Sequence, residues 1–249
     1  MFVENCNFDT CAVLLDIDGT LLDIAALPSA VEVPARLKDT LERVHARTCG
    51  ALAFVSGRPL ADIDRLFAPL KLAAIAGHGA EWRVSGIDQP HRFRGRLDSD
   101  LRMQFEAITS KLDGVLLEDK GYSIAIHYRL APQHAEVLRE AVAAACAPYP
   151  SSSIEVLPGK AMIEIKPAAF NKGTGVRELL MHPPFRGRRP LFVGDDVTDE
   201  SVFDILPELN GVGYSVGRKI PGCAGCFPKP ADVRDWIYRI AESDVAVHQ

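Results

Sequence analysis

The sequence predicts an α/β protein in which a doubly wound parallel sheet is interrupted by an inserted α+β domain. Three observations carry that reading. Short apolar runs without charge, such as Val13–Leu15, read as strands buried on both faces, the usual condition of a parallel sheet. Between these runs lie stretches with helical spacing, and strands alternating with helices imply right-handed crossovers. From about residue 92 to 167 the order changes to helix–strand–strand, twice over, which marks an insertion. The expected organisation is a core formed by residues 1–91 and 168–249, with residues 92–167 as the inserted domain.

The stretch from Val13 to Leu21 is the first element of the core. Its apolar run breaks into Asp16-Ile17-Asp18-Gly19-Thr20. Residues i and i+2 of an extended chain point the same way, so Asp16 and Asp18 can face one site. Gly19 lets the backbone turn sharply there. Two carboxylates so close repel unless a cation lies between them or one keeps its proton. That arrangement is costly as scaffolding and useful as chemistry.

Pro34 starts a helix carrying Leu37, Leu41 and Val44 at helical spacing. Ala51–Val55 is a second buried strand, ending in Ser56-Gly57-Arg58 before Pro59 begins another helix. Leu72–Ala76 is a third, closing on Gly77-His78-Gly79. A polar, hairpin-like excursion follows from Arg83 to Pro90. In the insertion, Leu101, Phe105, Ile108 and Leu112 form one helical stripe with Gly114 as its stop. Val115–Glu118 and Tyr122–Arg129 read as strands, Pro132 to Cys146 as a helix, and Ile154–Leu157 and Ala161–Lys166 as two further strands.

The core then resumes. Asn171 is the expected cap of a helix carrying Val176, Leu179 and Leu180. Pro190–Val193 is a strand ending in Gly194-Asp195-Asp196-Val197-Thr198-Asp199-Glu200, with Thr198 the expected N-cap of the next helix. Gly211–Val216 is the last strand, and Val233, Trp236, Ile237 and Ile240 make a closing helix.

Composition narrows the function. The net charge of −5 and the lack of any Lys/Arg block give nucleic-acid binding no electrostatic support. No apolar stretch is long enough to span a bilayer and no leader pattern opens the chain, so the expected compartment is the cytoplasm. The cysteines fit that compartment: Cys11, Cys49 and Cys146 are expected to pack as small hydrophobes. Cys223-Ala-Gly-Cys226 is a CxxC without a second pair or a histidine pair, so a structural zinc is not expected.

Ligand sites of doubly wound sheets lie beyond the carboxyl ends of the strands. Four polar clusters fall at such ends or open adjacent helices: Asp16/Asp18/Thr20, Ser56, Lys172 and Asp195/Asp196/Asp199. Acid pairs from two strand ends make a hard oxygen site suited to Mg²⁺. A hydroxyl and a lysine beside it supply what a bound phosphoryl group needs. One carboxylate can then attack phosphorus while a second shuttles the proton.

In order and spacing, Asp-x-Asp-Gly-Thr-Leu, Ser, Lys and Gly-Asp-Asp-x-x-Asp resemble the haloacid dehalogenase-like phosphatases, with a Rossmann-like core. By that resemblance Asp16 is the nucleophile and Asp18 the general acid, then base. Asp195, Asp16 and the Asp18 carbonyl would hold Mg²⁺, with Asp196 and Asp199 in its water shell. Thr20, Ser56 and Lys172 would bind phosphoryl oxygens. Ser56-Gly57-Arg58, Gly77-His78-Gly79-Ala80-Glu81, Glu118-Asp119-Lys120-Gly121, Gly159-Lys160 with Glu164, and the Thr-Asp-Glu ending of the last motif together are similar to the trehalose-6-phosphate phosphatase family.

In that family the insertion is a cap that closes over the sugar. Glu118, Lys120 and Glu164 match cap positions that contact the sugar hydroxyls and the phosphate. Arg58 is either a substrate contact or a pin for the helix it precedes. For Glu164 and Lys120 the alternative is the solvated face of a half-buried strand. The expected partner is a small sugar phosphate, supplied by a separate synthase. Two alternatives stay open: another capped sugar-phosphate phosphatase, for instance one acting on sucrose 6-phosphate, and a catalytically silent regulatory domain.

Overall fold

The structure is a computed structural model that describes residues 8, 10–24, 31–93, 95–159 and 161–242. Lys160, of the Gly159-Lys160 motif, lies outside the described residues. The chain divides into two units, Met1–Arg92 with Asn171–Gln249, and Phe93–Phe170.

The first unit begins with β1 (Cys11–Leu15), α1 (Ala35–Arg47), β2 (Leu52–Val55), α2 (Leu60–Phe67), β3 (Ala73–Ala76), β4 (Glu81–Arg83) and β5 (His91–Arg92). The second unit contains α3 (Ser99–Thr109), β6 (Leu116–Asp119), β7 (Ile124–His127), α4 (Ala135–Cys146), β8 (Ile154–Gly159) and β9 (Met162–Pro167). The first unit is completed by α5 (Lys172–Leu179), β10 (Arg189–Gly194), α6 (Val197–Phe203), β11 (Val212–Val216), β12 (Gly225–Phe227) and α7 (Pro230–Glu242).

The sheet of the first unit runs β12-β11-β10-β1-β2-β3-β4-β5. It is parallel from β12 to β3, and the β4–β5 hairpin adds antiparallel strands at one edge. Two-sided burial explains the uncharged strands. Val13 and Leu15 pack with Leu37, Ile63 and Val233 of α1, α2 and α7, while Ala12 and Leu14 pack with Val176, Leu179 and Val202 of α5 and α6. Asp16 continues the even-numbered side, and its N–H still bonds the carbonyl of Val193 at 2.9 Å. The alternation of an extended chain therefore aims its carboxylate at the α5–α6 layer.

In the second unit the antiparallel sheet β6-β7-β9-β8 is covered on one face by α3 and α4. Leu101, Phe105, Leu138 and Val142 pack there on Ile124, Ile126, Ile163 and Ile165. The helix α3 ends at Thr109, short of Gly114. Lys111 and Leu112 bond the carbonyls of Ile108 and Thr109 in tighter i→i+3 turns, and Gly114, at φ +79°, reverses the chain into β6.

Three further expectations are corrected. The N-cap of α6 is Asp196, not Thr198: the Asp196 carboxylate accepts from the N–H of Val197, and Asp199 returns the contact to the N–H of Asp196. Cys49 is exposed, because it occupies a left-handed turn at φ 49° just after α1. The strand β12, which contains Cys226, has no counterpart in the sequence reading: three residues with a glycine carry no detectable period.

Candidate active site

The site is assembled at the carboxyl ends of β1, β2 and β10 and at the first turn of α5. Asn171 caps α5, its side chain accepting from the N–H of Thr174, and thereby fixes where Lys172 starts the helix. The ammonium of Lys172 donates to Asp16 Oδ1 at 2.9 Å and to Asp199 Oδ1 at 2.7 Å, and all three side chains are buried. The other oxygen of Asp199 accepts from the N–H groups of Asp195 and Asp196 at 2.9 and 3.0 Å. One buried carboxylate thus holds both the lysine and the turn that presents Asp195.

Gly19 brings the β1 turn against that second turn. At φ +82° it adopts a conformation that favours glycine, and a Cβ there would lie 2.1 Å from Asp195 Oδ2. The next residue, Thr20, is fully buried and donates its hydroxyl to Asp195 Oδ1 at 2.9 Å. Asp16, Asp195 and Asp199 each offer an oxygen, with these atoms within 4.8 Å of one another.

The electrostatics follow from this crowding. Burial, and after it the neighbouring charges of Asp199 and Asp195, raise the Asp16 carboxyl well above its ordinary range, although Lys172 pulls the other way. Asp195 is also raised, first by burial and then by Asp199, against the hydrogen bond from Thr20. Burial acts to lower Lys172, but the charges of Asp16 and Asp199 overcome it and hold the proton on the amine. Three acids around one ammonium leave negative charge in excess, and their donor set is entirely oxygen. That fits a hard divalent cation such as Mg²⁺.

Asp18 lies elsewhere in the same turn. Arg58 grips it with both arms of the guanidinium, Nε to Oδ2 and Nη2 to Oδ1, each at 2.6 Å. Burial acts to lower the Arg58 pKa, yet the Asp18 contact raises it. Ser56 is buried at the end of β2, its hydroxyl accepting from the N–H of Arg58 at 3.2 Å. Asp196 is exposed and engaged as a helix cap. Sequence reasoning missed Arg218, whose Nε reaches the Asp195 carbonyl at 3.4 Å and whose Nη2 pairs with Glu200 at 2.7 Å. Its position just beyond the carboxyl end of β11 was the available signal.

Within the second unit, Glu164 is 1% exposed and therefore does not lie on a solvated strand face. Its carboxylate accepts from Ser123 Oγ at 2.7 Å and from Lys120 Nζ at 3.2 Å. Glu118 shares a 2.9 Å contact with His127 Nε2 on the neighbouring strand. Among the described residues no helix is long and apolar enough to cross a membrane.

Residues 14–224 match the family described as trehalose-phosphatase. The chain is 39% identical over 239 residues to a probable trehalose-phosphate phosphatase of Sinorhizobium fredii, covering 94% of this chain and 89% of that protein. It is 32% identical over 230 residues to the trehalose-6-phosphate phosphatase of Escherichia coli, covering 92% and 86% respectively. Among solved structures, the C-terminal domain of the C. albicans trehalose-6-phosphate phosphatase matches with a TM-score of 0.77 at 24% identity, over 94% of this chain and 93% of that one, a likeness of fold.

Proposed function

The chain belongs to the trehalose-phosphatase family of the haloacid dehalogenase-like phosphatases, and we propose that it hydrolyses trehalose 6-phosphate to trehalose and phosphate through Asp16. It is a phosphoric monoester hydrolase. The observation that supports the assignment of Asp16 is its burial at the end of a central strand, within hydrogen-bond reach of Lys172 and beside Asp195 and Asp199.

In this reading Asp16 attacks phosphorus and carries the phosphoryl group as an aspartyl phosphate. Asp18 gives a proton to the departing sugar oxygen and then takes one from the water that frees the enzyme. To carry a proton, Asp18 must release one of its two Arg58 contacts, while the other keeps it oriented. Lys172, Thr20 and Ser56 bind the phosphoryl oxygens, Lys172 having one N–H beyond the two given to Asp16 and Asp199. Asp16, Asp195 and Asp199, with Asp18 and Asp196 nearby in sequence, are the residues that would hold Mg²⁺. The ion would supply positive charge against the phosphoryl oxygens as negative charge develops there.

Glu118, Lys120 and Glu164 are assigned to the sugar, with residues 92–167 as the specificity domain. Glu164 suits that role chemically: Ser123 and Lys120 fix its orientation, and an oriented carboxylate is a strong acceptor for hydroxyls. Cytoplasmic action beside a separate synthase completes the proposal. The intact set Asp16, Asp18, Lys172 and Asp195 speaks against a silent regulatory role. Phosphate release from trehalose 6-phosphate, sucrose 6-phosphate, glucose 6-phosphate and an aryl phosphate tests the reading. Trehalose 6-phosphate should give the highest kcat/KM, and a clear preference for sucrose 6-phosphate would transfer the assignment to that substrate.

A further inference from the structure

The CxxC sequence plays no part in the chemistry above, and the fold gives it a place. Cys223 ends the loop that follows β11, packed against the core on the α5–α6 side of the sheet. Cys226 lies in β12, the edge strand, paired with Ser215 of β11. Both thiols are free and half-buried. Both line one cavity of about 370 Å³, together with Ser215, Lys219 and Ile220. The loop between the strands is tied down at both ends, by Gly217 N–H to the carbonyl of Phe227 at 2.8 Å and by Ala224 N–H to the carbonyl of Gly213 at 2.8 Å. Arg218, next to Gly217, contacts the Asp195 carbonyl and Glu200.

We propose that Cys223 and Cys226 form a reversible dithiol–disulfide pair, oxidised by small disulfides that enter this cavity, and that the cross-link acts on Asp195 through the Arg218 loop. The chemistry is two exchanges. The Cys226 thiolate attacks a small disulfide, forming a mixed disulfide and expelling one thiolate. Cys223 then attacks the Cys226 sulfur and expels the second. The protein loses two protons and two electrons, and the small disulfide leaves as two thiols.

The order of attack follows from the environment. Burial, and after it the charge of Cys226, pushes the Cys223 thiol up to about 11, so it is the slower nucleophile while Cys226 is free. Capping Cys226 removes the smaller of these two causes, and the second step is intramolecular, which offsets the burial that remains.

The test is to incubate the whole protein with glutathione disulfide and map its peptides by mass, with phosphate release from an aryl phosphate followed in parallel. The peptide containing both cysteines should become lighter by two hydrogen atoms, and turnover should fall several-fold and return with dithiothreitol. Cys223→Ser should instead stop at a glutathione adduct on Cys226, and Cys226→Ser should react far more slowly. The double variant, treated identically, should keep its full turnover. A stable glutathione adduct on the unaltered protein, or an intramolecular disulfide that leaves turnover unchanged, would overturn the proposal. Because the cross-link is read by mass, this outcome is separable from any failure of the trehalose 6-phosphate assignment.

Discussion

Lys172 donates to Asp16 across 2.9 Å in a fully buried setting, and the two residues are 156 positions apart in the chain. This contact ties the first strand of the sheet to the helix that follows the insertion. It also sets what each partner can tolerate. Loss of the ammonium would leave buried carboxylates uncompensated, which costs about 3–5 kcal/mol, whereas Lys172 without the Asp16 charge keeps Asp199 as its counter-ion.

Asp16→Asn keeps an oxygen that can accept from Lys172 and removes the attacking carboxylate. Turnover should fall by at least about a thousandfold with no loss of thermal stability. Lys172→Met should lower turnover comparably and also lower Tm, since three acids then face one another without a cation. Phosphate release and calorimetry on the two variants separate these outcomes. A folded Asp16→Asn protein that still turns over substrate would remove the nucleophile assignment.

Metal removal and pH should act on the same acidic site, pH through Asp16 and Asp195. Asp16 and Asp195 are raised above their ordinary 3.8, so the folded protein binds their protons more tightly than the unfolded chain does. The stability linked to those protons is present at low pH and is lost as pH rises through the raised values. In chelator, Tm should therefore fall across that window. Mg²⁺ should restore it, with a larger gain at pH 8 than at pH 5, because metal displaces protons from its ligands. Activity should vanish in chelator, return with Mg²⁺, and return poorly with Ca²⁺, which takes longer bonds and more ligands. A Mg²⁺-induced Tm gain that is equal at both pH values would contradict the linkage.

Gly173 is where α5 touches α6 backbone to backbone: a Cβ there would stand 2.1 Å from the carbonyl oxygen of Ser201. Relief of that overlap requires the helices to separate, and Lys172 would move with α5. Gly173→Ala should cost about 1–3 kcal/mol and lower kcat by more than tenfold. A variant with the original Tm and kcat would show that the contact yields without consequence.

Glu164→Gln tests sugar recognition with little disturbance of its buried neighbours, since the amide oxygen can still accept from Ser123 or Lys120. A charged hydrogen bond to a hydroxyl is worth about 1.5–3 kcal/mol. The expected loss of kcat/KM on trehalose 6-phosphate is therefore roughly one to two orders of magnitude, with an aryl phosphate little affected. Equal losses on both substrates would assign Glu164 to the fold or to the chemical step.

The sequence by itself determined the central strands of the core and the end at which its acids lie. A strand covered on both faces tolerates no charge along its length, so the first carboxylate after Val13–Leu15 marks where the strand ends and the site begins. The helix stripes of α1 and α7 were legible for a related reason: one face of each is buried and repeats with the helical period.

The tertiary structure decided what no local period encodes. The sequence pointed to Thr198 as the cap of α6, yet Asp196 takes the role because Asp199 turns inward to Lys172 and to the backbone N–H groups. Arg58 is committed to Asp18 by the meeting of two strand ends. Glu164 alternates like the residue of a half-solvated strand, yet it is buried beside Ser123 and Lys120. Alternation reveals that a strand has two faces, whereas the solvation of the second face depends on residues that pack there from elsewhere in the chain.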